Sequence, residues 1–312
     1  MARYWVIAVG AGVLSALLYL SVALGQPSAI LLAYLAQLPL FAVTLGMGGL
    51  AGATASGSAS VVIALLHSVI AGGFFLVVSG LPVMVVGGKA LLNRQDADGK
   101  TEWYPLGMLV SWMVGMGAGA FLIVSLALGL MTDGVEPSIR WFIGQAVERL
   151  LATTAEAERE RILDLVVAWI PAAVVMSWLV MVAINATLAQ GALMYFGRNL
   201  RPKPELADIE LPHLLTLVLG LAGAAALLGP DGFGFVGRNM FLILLVPFFF
   251  LGLGVVHAVA RKFTPQRIFI LIAAYAAMIV LGWPAALVAG LGLFDQWLGL
   301  RRRLAAPSGP AE

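Results

Sequence analysis

The 312-residue chain is 61% hydrophobic and 11% charged, with a mean hydropathy of +0.99. Soluble domains carry charge on about a quarter of their residues, so this composition excludes a water-soluble fold and points to lipid as the solvent. The net charge of +2 and pI near 9.0 do not indicate nucleic acid either, because the positive residues lie in short clusters between apolar runs and leave no basic face.

Zero cysteines remove disulfides, thiolate metal sites and thiol nucleophiles. His67, His213 and His257 are too scattered for a local metal motif, and no cofactor is expected.

In chain order, Tyr4–Leu24 is apolar for longer than the roughly 7–15 residues of a signal-peptide core. Although Ala23-Leu24-Gly25 has the form of a cleavage site, another span follows at once, and an uncleaved first helix is expected. Gln26-Pro27-Ser28 turns into a second span, Ala29–Leu45, with Pro39 inside it. Lipid-embedded helices tolerate proline because neighbouring helices and water satisfy the carbonyl it frees.

Gly46–Ser60 intersperses Gly46, Gly48, Gly49, Gly52 and Gly57 with Ala, Ser and Thr, and is only weakly apolar. It reads either as a close-packing helix surface, with Gly48 and Gly52 at GxxxG spacing, or as a broken or re-entrant segment lining a cavity. Packing is the commoner outcome. Val61–Val78 forms a third span carrying His67, and Gly80-Leu81-Pro82 breaks it. Val83–Leu92 is then a short fourth segment, below the roughly 20 residues a crossing needs. Lys89 lies within snorkelling reach of the surface, and Asn93–Tyr104 is a polar loop.

A long membrane hairpin follows over Pro105–Arg198, with spans Leu106–Met131 and Leu165–Met194 around a charged connector, 132–164. Inside the connector, Ile139, Phe142, Ile143, Ala146, Val147, Leu150 and Leu151 recur at helical spacing. That pattern predicts an amphipathic helix lying in the interface or capping the bundle. Thr153-Thr154-Ala155-Glu156 has the capping-box form, so a fresh helix is expected there, with a kink at Pro171.

Past Arg198, Arg201 and Lys203, a polar loop reaches Pro212 and Leu214–Leu228 crosses. Gly229–Gly237 reads as a turn with glycine at positive φ, and Asn239–Val259 returns. Ile268–Leu281 and Ala285–Leu300 form a tight hairpin about Gly282-Trp283-Pro284, closed by Arg301-Arg302-Arg303, and 305–312 is a short disordered tail. The expected architecture is all-α: one polytopic membrane domain over 1–304, with about 8–10 membrane segments.

With the amino terminus inside and about ten crossings, the 18 Lys and Arg residues divide as 13 inside and 5 outside. The five are Arg140, Arg149, Arg159, Arg161 and Arg238. Both termini then lie in the cytoplasm of a bacterial cell, provided the short fourth segment crosses.

Ionisable residues at mid-depth mark most pumps and transporters, and this chain has almost none. Asp295 lies within two turns of Arg301 and is expected to pair with that cluster or reach water. His67 is the one titratable side chain placed near mid-membrane, as a neutral imidazole bonded to a neighbouring helix or as a substrate or proton site. Asn185, Gln190 and His257 either line a cytoplasmic-side pocket or make interhelical bonds of about 1 kcal/mol each.

Gln37, beside Pro39, is cavity-lining on similar grounds. The pocket candidates are therefore Gln37, Gly48, Gly52, His67, Asn185 and Gln190. Without a P-loop, HExxH or GxSxG the chain is not expected to be an enzyme, and ATP-driven transport would need a separate ATPase subunit.

Three stretches carry a family resemblance. They are Pro39-Leu40-Phe41 followed by the Gly/Ala run 46–57, Gly80-Leu81-Pro82 ahead of a short span with Arg94, and Gly292-Leu293-Phe294-Asp295-Gln296-Trp297 closed by Arg301-Arg302-Arg303. The chain resembles the YybS-like family of bacterial integral membrane proteins (domain of unknown function 2232) over most of its length, least in the connector 132–164. The resemblance implies a multi-pass inner-membrane protein and brings no reaction. That family is in turn similar to the substrate-binding subunits of energy-coupling-factor vitamin transporters and to the rod-shape membrane protein MreD, a fold-level analogy. The favoured expectation is a transporter-like component with a small-molecule pocket and an ATPase or other membrane-protein partner. The alternative is a membrane scaffold that docks cell-envelope or division proteins.

Overall fold

The computed structural model describes residues 2–132, 134–204, 209–263 and 265–305. Helix follows helix, because an apolar run without water must satisfy its backbone groups within itself. The elements are α1 (Ala2–Leu20, prolonged by a 3-10 turn Ser21–Leu24), α2 (Pro27–Tyr34), α3 (Gln37–Met47), α4 (Gly49–Leu66) and α5 (Val69–Ala90). A hairpin of β1 (Asn93–Gln95) and β2 (Thr101–Trp103) leads to α6 (Leu106–Met131), α7 (Val135–Leu150) and α8 (Glu156–Tyr195). The last elements are α9 (His213–Leu228), α10 (Asp231–Ala260), α11 (Arg267–Leu281), α12 (Pro284–Leu298) and α13 (Leu300–Ala305). The expected tail lies outside the described residues beyond Ala305, which ends α13.

Among the described residues, 7 helical runs are long and apolar enough to cross a bilayer: Ala2–Ala23, Ser28–Met47, Gly49–Leu66, Val69–Ala90, Leu106–Met131, Glu156–Tyr195 and Asp231–Ala260. Helices α11 and α12, bent by 120° at their junction, pass the same test as a pair, and α9 is a shorter apolar helix. Leu65, Ile70, Leu227 and Ile279 are each at least 80% exposed. Lipid, not water, is the solvent for such a surface. The chain is a polytopic all-α membrane protein.

Several boundaries differ from the expected ones. The break assigned to Gly80-Leu81-Pro82 is absent: α5 is helical from Val69 to Ala90, with π-helical turns at Leu76–Gly80 and Val83–Gly87 on either side of Leu81-Pro82. Widened turns of this kind accommodate a proline that would interrupt a regular ladder. The fourth segment is therefore 22 residues, a full span. The third runs over Gly49–Leu66 instead of Val61–Val78, so the weakly apolar stretch forms its first half.

His67 shifts with that register. It is the C-cap of α4, exposed, at the turn into α5, which places it at the end of a span and not near mid-membrane. Ser68 caps the new helix by accepting from the Ala71 N–H (3.1 Å).

Asn93–Tyr104 is a two-stranded hairpin carrying an Arg94–Glu102 ion pair (2.6 Å), with Gly99 at φ +77° in its turn. Helix α8 begins at Glu156, where the Ala155 carbonyl accepts the first N–H bonds, two residues beyond the Thr153 cap expected. Gly229–Gly237 is mostly helix. The turn closes at Gly229-Pro230, and it is Asp231, not a glycine, that has positive φ (+20°) there. Gly237 is needed for close packing, since a Cβ on it would lie 2.5 Å from the Ala226 nitrogen of α9.

The chain divides into two compact units, Met1–Met113 with Leu179–Pro204, and Val114–Trp178 with Glu205–Glu312. In the first, α1 meets α4 through small side chains: Ala8, Gly12, Ser15 and Ala16 against Ala51, Ala55 and Ala59. Gly48 ends α3 at φ +105° with open space around its Cα, so it breaks the chain between helices and takes no part in GxxxG packing.

In the second unit, Val135, Leu163, Val167 and Phe235 form a cluster covered by Ile139, Ile143 and Val147 of α7. Arg140 pairs with Asp164 and with Glu160 (3.4 Å) across α7 and α8. Only part of the expected α7 stripe faces inward: Phe142 is 70% and Leu150 82% exposed, alongside Trp141 at 70%.

The closest backbone approach joins α10 to α12, where a Cβ on Gly292 would lie 1.8 Å from the Phe248 carbonyl oxygen. Gly290, two residues earlier, has open space. Gly292→Ala is expected to lower unfolding stability in detergent by about 1–3 kcal/mol, while Gly290→Ala leaves it near wild type. Paired thermal or denaturant unfolding of the two variants checks this.

Candidate functional site

Two irregularities in the helices of the first unit, the α2–α3 break and the first π-helical turn of α5, are met by polar side chains. Pro39 has no N–H and its ring crowds the carbonyl four residues back, and the ladder breaks there: Leu38 N–H turns to the Leu35 carbonyl (3.0 Å). The passed-over Tyr34 carbonyl accepts from Asn185 Nδ2 (2.7 Å), which also donates to the Met181 carbonyl (2.8 Å). Ser15 Oγ donates to the Ala36 carbonyl at the same break. In α5, Gln37 Nε2 donates to the carbonyl of Val78 (3.2 Å), within the first π-helical turn.

Gln37 and Val78 sit near the middle of their spans. Gln37 is the tenth residue of the 20-residue span Ser28–Met47, and Val78 is the tenth of the 22 in Val69–Ala90. Ser56, the eighth of 18 in Gly49–Leu66, faces Gly80, whose missing Cβ would lie 3.1 Å from the Ser56 Cβ. One turn away, Gly52 leaves room for Thr44, whose Oγ1 would be 2.0 Å from a Cβ there. Three oxygens in this region are buried without a hydrogen-bond partner: Gln37 Oε1, Ser56 Oγ and Asn185 Oδ1. Such groups are rare in native interiors and call for an occupant.

Near the ends of these spans, Arg201 is buried, and its guanidinium donates to the carbonyls of Ala90 (3.0 Å) and Tyr104 (2.9 Å). Its own carbonyl accepts from Gln190 Nε2 (2.7 Å) and Asn199 Nδ2 (2.9 Å). Burial draws the Arg201 guanidinium below its ordinary value, yet an arginine stays charged at physiological pH. Lys89 lies over the Trp112 ring (4.2 Å), whose indole N–H donates to the Tyr104 hydroxyl (3.0 Å). These residues clamp the ends of α5, α6 and α8.

Of the six pocket candidates, Asn185 bonds the Tyr34 carbonyl that ends α2, Gln37 opens α3 and bonds Val78 of α5, and Gly52 lies one turn from Ser56 on α4. Gln190 belongs to the Arg201 clamp, Gly48 to the α3–α4 turn and His67 to the α4–α5 turn. His257 belongs to the second unit, where Nδ1 bonds the Leu253 carbonyl of its own helix (2.9 Å).

Sequence reasoning missed Ser56, the Arg201 clamp and Asn239. Asn239 is fully buried on α10 and repairs α8 at Pro171: its Oδ1 accepts from the Ala172 N–H (2.9 Å), and its Nδ2 donates to the Ala168 carbonyl (3.3 Å). The available signal was an asparagine on one apolar helix and a proline on another. In the same unit Asp295 pairs with Arg301 as expected, Oδ2 to Nε at 2.6 Å, and Arg301 Nη2 reaches the Ile209 carbonyl (2.6 Å).

Among protein families, the model described as "Predicted membrane protein (DUF2232)" matches residues 13–296. No curated protein and no solved structure matches the chain.

Asn239→Leu leaves an N–H and a carbonyl of α8 without their side-chain partner, and is expected to cost about 1–2 kcal/mol. In a Pro171→Ala background α8 can close its own ladder at this point, and the same substitution should then cost markedly less. A double-mutant cycle by unfolding in detergent measures the difference.

Proposed function

The chain belongs to the DUF2232 family of predicted membrane proteins, and from that premise we propose that it is a transport component whose first unit holds a small solute at mid-depth. The observation that carries this reading is the set Gln37, Ser56 and Asn185, whose buried oxygens are unpaired beside the α2–α3 break and a π-helical turn, with Gln37 and Ser56 near halfway along apolar spans. Transporters build their sites from interrupted helices near the bilayer centre, where irregular backbone lines a cavity. With no P-loop in the chain, energy would come from a separate ATPase subunit.

We place the protein in a bacterial inner membrane with both ends cytoplasmic. A full-length fourth span returns Lys89, Arg94 and Lys100 to the side of Arg3, and the 120° bend between α11 and α12 turns Arg301-Arg302-Arg303 back the way the chain came. The positive-inside rule then assigns that side to the cytoplasm.

A scaffold role is the second reading. It is favoured by the adjacent exposed aromatics Trp141 and Phe142 of α7, on a helix otherwise rich in charge. Cell-envelope or division proteins would dock there.

Native mass spectrometry of gently solubilised protein separates the two. The transport reading expects a retained small molecule, lost in Gln37→Leu and Asn185→Leu variants that still fold, together with an ATPase subunit in mild-detergent pull-downs. A bare chain that carries only envelope or division proteins would sink it. Reporter fusions after Arg94, Arg198 and Arg303 are expected to read cytoplasmic, and an external signal at any of them overturns the topology.

A further inference from the structure

We infer that Gln37 Oε1, Asn185 Oδ1 and Ser56 Oγ form a binding site for a small monovalent cation. The inference rests on the transport reading for its purpose, but its geometry stands alone. Each carboxamide is held in one orientation by what its nitrogen donates to: Gln37 Nε2 to the Val78 carbonyl, and Asn185 Nδ2 to the carbonyls of Tyr34 and Met181. Flipping either amide would set oxygen against oxygen at 3.2 or 2.7 Å. The amide oxygens are therefore turned away from these contacts with nothing to accept. Gln37 and Asn185 are each 1% exposed and Ser56 is 0% exposed, so bulk water does not satisfy them.

The three belong to one neighbourhood. Asn185 holds the carbonyl of Tyr34, three residues before Gln37, while Gln37 holds Val78, two residues before the Gly80 that Ser56 faces. The carbonyls that end α2 already accept from the chain itself, from Ser15 and from Asn185, and α3 starts at Gln37, so the acceptors left over at the site are the three side-chain oxygens. Its occupant must present positive charge or hydrogen-bond donors.

Charge decides the class. An anion would meet carbonyl-type oxygens and is rejected. A divalent ion demands carboxylate ligands, and neither 1–92 nor 179–204 contains an Asp or Glu. A monovalent ion is held by neutral oxygens in membrane proteins generally. Alkali ions and ammonium share this chemistry.

The test is thermal unfolding of the purified full chain in mild detergent, in chlorides of sodium, potassium, ammonium and choline at equal ionic strength. The expected result is a saturable rise in Tm of several degrees in at least one small-cation salt over choline, and the arms tell an alkali ion from an N–H donor. Ser56→Ala should unfold in choline at or above the wild-type temperature, because it removes an unpartnered buried hydroxyl, and should lose most of the cation-dependent rise. Gln37→Met should lose it as well. Equal Tm in all four salts, or a full rise retained in Ser56→Ala, overturns the inference and leaves ordered water as the occupant. A flat salt series with a solute still retained in native mass spectrometry removes the cation and leaves the transport reading intact. A flat series without a retained solute removes both.

Discussion

A polypeptide in hydrocarbon cannot leave a backbone N–H or carbonyl without a partner, because no water is present to supply one. Regular helix meets that demand automatically. This chain departs from regular helix repeatedly, and at Pro39, at the first π-helical turn of α5 and at Pro171 it meets the departure with a buried side chain from another part of the chain. Asn185, Gln37 and Asn239 thus act as replacement rungs in ladders that proline or a widened turn has disturbed. Arg201 and Arg301 do the same for segments between helices, donating to the carbonyls of Ala90, Tyr104 and Ile209. The sparse polar inventory of the membrane segments is spent largely on backbone.

The repairs are not equivalent. Asn239 uses both ends of its amide, accepting from Ala172 and donating to Phe235 and Ala168, so its polar capacity is matched within the protein. Gln37 and Asn185 use only their nitrogens, and their oxygens have no partner. A group needed only for structure would favour full pairing, since an unmatched buried acceptor costs about 1–3 kcal/mol. That asymmetry separates a structural amide in the second unit from two with capacity left over in the first.

Composition and hydropathy were enough to read the class, and several elements came out nearly to the residue, α6 over Leu106–Met131 among them. The misplacement of His67 has a specific cause. Gly, Ser and Thr dilute the hydropathy of Gly46–Ser60, yet its small residues let α1 and α4 approach closely, so a true span read as a weak one and the boundary slid into the next. His67-Ser68 ahead of Val69 was a usable stop-and-cap signal, given the Ser68 bond to Ala71. The π-helical turns around Pro82 had no comparable signature, because backbone widening depends on what packs alongside. The partners of Gln37, Asn185 and Asn239 were equally hidden. An amide's sequence position shows that it needs hydrogen bonds, and only tertiary structure shows which disturbed carbonyl receives them.

The scarcity of mid-depth charge, which in sequence counts against a transport role, weighs differently for a site built from dipoles, as proposed for Gln37, Ser56 and Asn185. A carboxylate at the bilayer centre would bind a cation tightly but would itself need neutralising whenever the cation left. Amide and hydroxyl oxygens carry no such net charge, so the empty and filled sites differ less in electrostatic energy, and release is correspondingly easier. A first unit whose only carboxylates, Asp96, Asp98 and Glu102, lie on the exposed hairpin is consistent with that economy. In the proposed site, selectivity would then come from the spacing of oxygens whose amides are held rigid by their backbone bonds, a use open to Gln37 and Asn185 and closed to the fully paired Asn239.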